Sequence, residues 1–325
     1  MTSRNGPRTD APTVAWRAAG KRFHSYNFFL SRQFGQRVQK VSIDAGFTCP
    51  NVDGTVAVGG CVFCDNRSFS PSRRLPKSGI RQQIDAGIAG LKRRYRVDRF
   101  MAYFQPATNT YGSVERLQSI YEEALSHPQI VGLAIGTRPD CVPDEVLDLI
   151  SRFAEQTYVS VEYGLQTIHN RSLKWMNRGH DYKAFLDAVE RSRGRGFKIC
   201  AHVILGLPGE SHEAMMATAA ETARLRLDAV KIHNLYVVRN TPLADQVAAG
   251  EVRLIGRDEY VRTVVDFIER LPPQMLIERL SGDSPPDFLV GPAWCLDKSG
   301  LRTALDAEFR RRDTYQGRFF CAAVE

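Results

Sequence analysis

Short apolar segments alternate along the chain with longer segments in which apolar residues recur every three or four positions. The short segments are typical of buried strands. They are residues 41–45, 100–105, 131–136, 158–163, 199–205 and 230–237. The longer, amphipathic segments predict helices. They are residues 80–94, 114–126, 144–155, 182–193 and 212–226. This strand–helix order predicts parallel strands joined by right-handed crossovers.

Two architectures fit that order, an open doubly wound sheet and a barrel. Because no G-x-G-x-x-G turn follows the first strand, the pattern favours an α/β fold built as a partial (β/α)6 barrel of the TIM type. We expect a basic, flexible segment over residues 1–22, the barrel over 23–270, and a small C-terminal extension packed on the barrel over 271–325. In that extension, residues 275–280 predict a last strand and residues 301–312 a helix.

Composition narrows the class of protein. The chain has 325 residues, 43% hydrophobic and 25% charged, which excludes disordered and collagen-like chains. Its apolar runs are shorter than the roughly 18 residues of a membrane span, and its start lacks the apolar core of a signal peptide. We therefore expect a cytoplasmic protein without a membrane partner. The net charge is +8, and the first forty residues hold eight Lys or Arg against one acid. Such a segment suits RNA, although a merely solvated leader is the alternative.

Three of the seven cysteines are clustered. Cys49, Cys61 and Cys64 form the pattern C-x11-C-x2-C after the first predicted strand. Three thiolates are one short of the four that close a structural zinc site or an electron-transfer [4Fe–4S] cluster. The pattern favours a cluster with one open iron, and zinc with a distant fourth ligand is the alternative. The other cysteines lack ligand spacing and are predicted to be buried, small apolar residues. They are Cys141, Cys200, Cys295 and Cys321.

Polar, glycine and proline residues gather where the predicted strands end. The carboxyl ends of parallel strands meet at one edge, where α/β proteins bind ligands. Glu162 belongs to this group, and a buried Glu requires a partner. The others are Gln105, Arg138, Asp140, Gln166, residues 206–209, His233 and Asn234. His202, within a strand, is interpreted as structural.

A three-cysteine loop after the first strand of such a barrel resembles the radical S-adenosylmethionine (SAM) superfamily, whose usual motif has three residues between the first two cysteines. The longer spacing here resembles the Elongator catalytic-subunit group. From about Tyr26 onward the chain most resembles the YhcC/YtqA family. The segments that carry this resemblance are CPNVDGTVAVGGCVFC, YFQPATNTY, GTRPD, VEYGLQT, NRGHD, HVILGLPGE, KIHNLYVVRNTPL, GDSPPDFLVGPAWCLDKSG and DTYQG.

The resemblance implies a [4Fe–4S] cluster held by Cys49, Cys61 and Cys64, with SAM bound at the open iron. In that superfamily the reduced cluster cleaves SAM to methionine and a 5′-deoxyadenosyl radical, which abstracts hydrogen from the substrate. It also implies an electron donor of the flavodoxin or ferredoxin type. The implied SAM contacts are Phe63, Gln105, Asn109, Arg138, Asp140, Glu162, Gln166, Gly206, Leu207 and His233. The GGE-like segment that receives the SAM amino group is missing, and the amides of Gln105 and Asn109 are expected to replace it.

Three functions are compatible with these observations. Kinship to the Elongator group, the basic N-terminus and the basic residues 92–96 favour an enzyme that modifies RNA, such as a tRNA base. A radical SAM enzyme that acts on a small metabolite or a protein fits the cysteine loop equally well. A non-enzymatic protein that binds zinc or iron is the third alternative.

Overall fold

The computed structural model describes residues 14–321. Its centre is a sheet of seven parallel strands, ordered across the sheet as they occur in the chain, that curls into a half-barrel. These strands are β1 (Val38–Ile43), β2 (Arg99–Phe104), β3 (Ile130–Thr137), β4 (Tyr158–Gln166), β5 (Lys198–Leu205), β6 (Ala229–Asn234) and β8 (Leu276–Arg279). Between β6 and β8, β7 (Val237–Val238) pairs in antiparallel fashion with β9 (Leu289–Gly291). All six predicted strands are confirmed, and the predicted last strand joins the sheet as its seventh member.

Helices precede, separate and follow the strands, and several of them pack on the outer face of the sheet. They are α1 (Ala15–Ala18), α2 (Tyr26–Gln33), α3 (Asn66–Phe69), α4 (Ile80–Tyr95), α5 (Val114–Leu125), α6 (Asp144–Ala154), α7 (Asn170–Trp175), α8 (Tyr182–Ser192), α9 (His212–Arg224), α10 (Pro242–Ala248), α11 (Arg257–Glu269) and α12 (Lys298–Arg311). The side chains of Ser113, Asp181 and Ser211 accept backbone N–H groups at the starts of α5, α8 and α9, which stabilises these helix ends. Within residues 14–321 no helix is long and apolar enough to cross a bilayer.

Alternate residues of each strand face opposite sides of the sheet. In β2, Phe100, Ala102 and Phe104 belong to the apolar core between sheet and helices, whereas Tyr103 lines a pocket inside the half-barrel. The same alternation recurs in β4, where Val161 is in the core and Glu162 lies inside. The sheet therefore has an apolar outer face and an inner face that carries polar side chains.

The segment before β1 differs in part from the prediction of a flexible leader over residues 1–22. Residues 1–13 lie outside the described part of the chain. From residue 14 onward the chain packs on the barrel, because Trp16 is 1% exposed and its Nε1 donates to the carbonyl of Pro273 at 2.8 Å. The burial of one large aromatic ring thus fastens α1 to the loop before β8.

Candidate active site

The cysteine loop follows β1 and is shaped by its own backbone hydrogen bonds. The N–H groups of Val52 and Asp53 donate to the carbonyl of Cys49 at 2.8 and 3.1 Å, and that of Cys64 donates to Cys61 at 2.9 Å. Gly60 has a φ of +77°, a left-handed conformation that glycine adopts without strain. These turns place all three cysteines along one pocket at the carboxyl ends of the strands.

The segment after α7 holds this loop against the barrel. The N–H of Val62 donates to the carbonyl of Met176 at 3.0 Å, and the Asn51 amide donates to the carbonyl of Asn177. A Cβ on Gly179 would lie 2.2 Å from Asn51 Oδ1, so only glycine fits there. The NRGHD segment, whose role the sequence left open, therefore positions the cysteine loop.

The environment of the three thiols fits an iron–sulfur cluster. Arg178 Nη1 and Asn51 Nδ2 lie 3.6 and 3.7 Å from Cys61 Sγ, as donors to a sulfur ligand. Burial, together with the neighbouring thiols of Cys61 and Cys49, raises the pKa of the Cys64 thiol to about 12. Because the three sulfurs would repel one another as thiolates, a cationic group bound between them would stabilise their charged form. Within residues 14–321 no three His, Cys, Asp or Glu side chains converge on the position of a single metal ion.

The remaining cysteines separate into two groups. Cys141, Cys200 and Cys295 are buried, as predicted. Cys321 is exposed, so the prediction that it is buried is wrong. It is the last described residue and lies beyond α12, outside the apolar core.

Most of the residues predicted at the strand ends do meet in the pocket. Predicted residues that line it are Phe63, Gln105, Arg138, Glu162, Gln166, His233 and Asn234, and His202, which was interpreted as structural, lines it as well. Apolar residues complete the wall, among them Phe69, Ile204 and Leu235. The pocket therefore joins the cysteine loop to the inner face of the half-barrel.

Asn109 and Asp140 are placed differently from the prediction. Asn109 is fully buried, and its Nδ2 donates to the carbonyls of Phe104, Pro106 and Gly136. Its amide therefore shapes the loop after β2 and does not line the pocket. Asp140 forms a two-bond ion pair with Arg138, at 2.9 and 2.7 Å. This ion pair occupies one edge of the guanidinium.

Gly206 and Leu207 also lie outside this pocket, and they line a neighbouring cavity with Ile255. Leu207 is 2% exposed and packs in an apolar cluster against which Phe63 rests. Gly206 has a φ of +82°, and a Cβ there would lie 2.9 Å from the Ile255 side chain. The turn after β5 is thus set by packing, with Gly206 against Ile255 and Leu207 in the apolar cluster beside Phe63.

Glu162 lies at the centre of a charged network inside the half-barrel. It is fully buried and accepts from Lys40 Nζ at 2.7 Å, from Lys231 Nζ, and from His202 Nε2 at 3.0 Å. Glu278 is the second acid, 2.6 Å from Lys40 Nζ and 3.7 Å from Lys231 Nζ. Two lysines therefore balance two glutamates.

The network fixes the protonation of its members. Burial raises the pKa of Glu162, but Lys231 and Lys40 outweigh burial and hold that pKa well below the ordinary value. Burial lowers the pKa of Lys40, but Glu162 and Glu278 raise it well above the usual range. Burial also lowers the pKa of His202 despite its hydrogen bond to Glu162. Both lysines and Glu162 are thus charged, while His202 stays neutral.

Lys40, Lys231, Glu278 and Tyr103 are the residues that the sequence analysis missed. Tyr103 Oη accepts from Lys231 Nζ at 3.0 Å and lines the pocket. A signal was present, because each of the four is a polar residue within an apolar strand and has the parity of the inner face. This signal could place the four residues inside the barrel only if the inward-facing side of each strand were already known.

Comparisons with known proteins point to one superfamily. The family described as "Radical SAM superfamily" matches residues 55–221, and "Radical_SAM C-terminal domain" matches residues 227–311. YtqA of Bacillus subtilis is 38% identical over 300 residues, which cover 92% of this chain and 93% of that protein. A tRNA uridine(34) acetyltransferase of Methanocaldococcus jannaschii is 29% identical over 55% of this chain and 32% of its own length. The solved structure of Elp3 from Methanocaldococcus infernus superposes with a TM-score of 0.64 at 21% identity, over 86% of this chain and 64% of that one. That likeness shows a shared fold.

Proposed function

The chain belongs to the radical SAM superfamily, within the YhcC/YtqA family, and we propose that it is an RNA-modifying enzyme of that superfamily whose substrate is a tRNA base. Its cofactors are a [4Fe–4S] cluster and SAM. When bound, a [4Fe–4S] cluster reduced by an external electron donor would supply the electron for reductive cleavage of SAM to methionine and a radical that takes hydrogen from the substrate. The observation that carries the cofactor assignment is that Cys49, Cys61 and Cys64 all line one pocket at the strand ends.

The protein's own residues hold and orient these groups. Cys49, Cys61 and Cys64 would ligate the cluster, and Arg178 and Asn51 would donate to the Cys61 sulfur. Hydrogen bonds to a cluster's sulfurs help to set its potential. The apolar wall of the pocket excludes water from the reaction space.

Four predicted SAM contacts line the pocket with side chains that are not held in an ion pair and can still contact a ligand. They are Phe63, Gln105, Gln166 and His233. Both Glu162 and Arg138 also line it, but their charges are already paired. Protein groups that are preorganised and only partly engaged bind a ligand without first breaking internal contacts. We therefore propose the four as SAM or substrate contacts and assign Glu162 to the floor of the site.

Two observations support RNA as the substrate class. One is the similarity to a tRNA uridine(34) acetyltransferase. The other is a pair of exposed arginines beside the cysteine loop, Arg67 and Arg74, whose guanidinium groups each lie 5.9 Å from the ring centre of Phe288. Arg67 also pairs with Asp65 at 2.9 Å. Arginines next to an aromatic ring can contact phosphates and stack on bases. Of the basic N-terminal residues, Arg22 already pairs with Asp313 and Lys40 lies in the buried network.

Binding to RNA is tested by anaerobic gel shift of the reconstituted protein with total tRNA at several salt concentrations. We expect binding that weakens with salt, and a smaller salt dependence for Arg67→Gln/Arg74→Gln because fewer counterions are released. Arg253→Gln, at a side chain that is 84% exposed and does not line the pocket, is the matched control. Mass spectrometry of tRNA nucleosides from a deletion strain tests the modification itself. No affinity for tRNA together with an unchanged nucleoside profile would contradict the proposal and favour a small-molecule or protein substrate.

A further inference from the structure

Arg279 is a cation of the pocket that the buried network does not neutralise. Arg279 ends β8 and lines the pocket. Within residues 14–321 its acidic partner is Asp283, with 3.5 Å between Nη2 and Oδ1. Asp283 has a closer partner in Lys298, at 2.6 Å. One carboxylate therefore serves two cations, and the trio keeps a net positive charge beside a pocket whose floor is already balanced.

The neighbour of Arg279 in the pocket is a histidine with an unused ring nitrogen. His233 of β6 lines the pocket, and its Nε2 is buried with no hydrogen-bond partner among the described residues. Burial, followed by Arg279 and His202, holds the pKa of His233 well below its ordinary value. The ring is neutral and can donate one hydrogen bond. A buried polar atom without a partner is unfavourable unless a ligand satisfies it.

The chain after β8 fixes these groups in place. The N–H of Gly282 donates to Asn234 Oδ1 at 3.0 Å, and Asn234 Nδ2 lies 3.1 Å from Cys295 Sγ. A Cβ at Gly282 would lie 2.8 Å from the Tyr236 ring and 3.2 Å from His233 Nδ1. The rings are therefore held by close packing, as in a preorganised binding site.

We propose that Arg279 and His233 form a binding site for an oxyanion of the substrate, a carboxylate or a phosphate. The guanidinium offers two parallel N–H donors, the geometry that suits both oxyanions, and His233 Nε2 supplies a third donor. The proposal rests on the proposed function, since it concerns the substrate of the same pocket. It assigns the His233 and Arg279 side of the pocket to substrate and leaves the cysteine loop to the cofactors.

Chemical labelling of Arg279 tests this site directly. The reconstituted holoenzyme is treated with phenylglyoxal, and labelling of each arginine is followed by peptide mass spectrometry with added inorganic phosphate, acetate, total tRNA or SAM at constant ionic strength. The Arg279 side chain is 42% exposed and accessible to the reagent. We expect phosphate or acetate to slow labelling of Arg279 at least fivefold, while labelling of Arg253 stays unchanged. Preferential protection by phosphate indicates a phosphate group, and preferential protection by acetate a carboxylate.

Variants of His233 separate binding from a structural role. Loss of one hydrogen bond to a charged ligand weakens binding about tenfold or more. His233→Leu should therefore raise, about tenfold, the anion concentration that gives half-maximal protection of Arg279 from labelling. His233→Gln retains a donor and should raise it less than threefold. Thermal unfolding gives an independent reading, since a bound anion raises the melting temperature of the wild type but not of Arg279→Gln.

Two results overturn the assignment. One is unchanged labelling of Arg279 and equal melting shifts in wild type and Arg279→Gln with every anion. The other is protection by SAM alone, which would assign Arg279 to the SAM carboxylate. Failure of this site leaves SAM cleavage and tRNA binding intact as separate tests of the proposed function.

Discussion

Replacing Glu162 by Gln isolates the charge at the centre of the half-barrel. The side chain keeps its size, but Lys40 and Lys231 lose the carboxylate that contacts both of them. Glu278 then faces two lysines, and the network carries one uncompensated positive charge. Removing one partner from a buried ion pair typically costs about 3–5 kcal/mol. We expect the free energy of unfolding to fall by about this amount, because Glu162 is fully buried.

Urea denaturation of the anaerobic protein, followed by circular dichroism and tryptophan fluorescence, measures the change. The matched control is Arg253→Gln, which alters an exposed pair with Glu259 and should cost no more than about 0.5 kcal/mol. Glu162→Gln/Lys231→Met restores neutrality, so its cost should fall short of the sum of the single variants by about 1–3 kcal/mol. If Glu162→Gln and Arg253→Gln unfold at the same midpoint urea concentration, the buried network does not stabilise the fold as described.

Three further predictions follow from the site and the core. Cys49→Ala, Cys61→Ala and Cys64→Ala should each remove most of the cluster absorbance of the reconstituted protein, whereas Cys321→Ala, at an exposed thiol, should leave it. Burial and Arg279 hold the pKa of His233 well below 6.5, so the unfolded chain binds a proton that the folded one excludes. The neutral His233 ring therefore contributes fully to stability above pH 6.5, and this contribution decreases as the pH is lowered, by about 1.4 kcal/mol at pH 5.5. Urea titrations at pH 7.5 and 5.5 should show this decrease in the wild type and not in His233→Gln. Trp16→Ala should lower the free energy of unfolding by about 3–5 kcal/mol, because the ring is buried.

Each of these has a clear contrary outcome. Equal loss of absorbance from Cys321→Ala would contradict the ligand assignment. An identical pH dependence in wild type and His233→Gln would show that this ring titrates normally in the folded protein. A Trp16→Ala variant as stable as the wild type would mean that α1 is not fastened to the barrel.

The strands could be predicted because each is a short segment rich in apolar residues between helical patterns. Even the short β8 was visible in residues 275–280. The helices α10 and α11 were missed, since residues 242–269 were not separated into elements. The N-terminal basic residues were predicted to be available to RNA. Whether a lysine within a strand faces the inside or the outside of the sheet, however, can be predicted only when the two faces of the sheet are known. Lys40 therefore could not be placed inside the barrel from its sequence.

The cysteine loop was the part of the site most visible in the sequence, because its ligands are close together in the chain. Residues brought in from a distance carried no such pattern. Arg178 contacts Cys61 from 117 positions away. Asn109, Gly206 and Leu207 were predicted near SAM, but the Asn109 side chain contacts backbone carbonyls, the Leu207 side chain packs in an apolar cluster, and Gly206 lies against Ile255. Strand-end position predicts the neighbourhood of a residue, not the direction of its side chain.

The central claim is that three cysteines hold a cluster at which SAM is cleaved. Its most direct test is anaerobic incubation of the reconstituted protein with SAM and dithionite, followed by quantification of 5′-deoxyadenosine and methionine. We predict that the wild type forms both products and that Cys64→Ala forms neither above background. Iron-loaded wild type without 5′-deoxyadenosine, or equal product from Cys64→Ala, would contradict the claim.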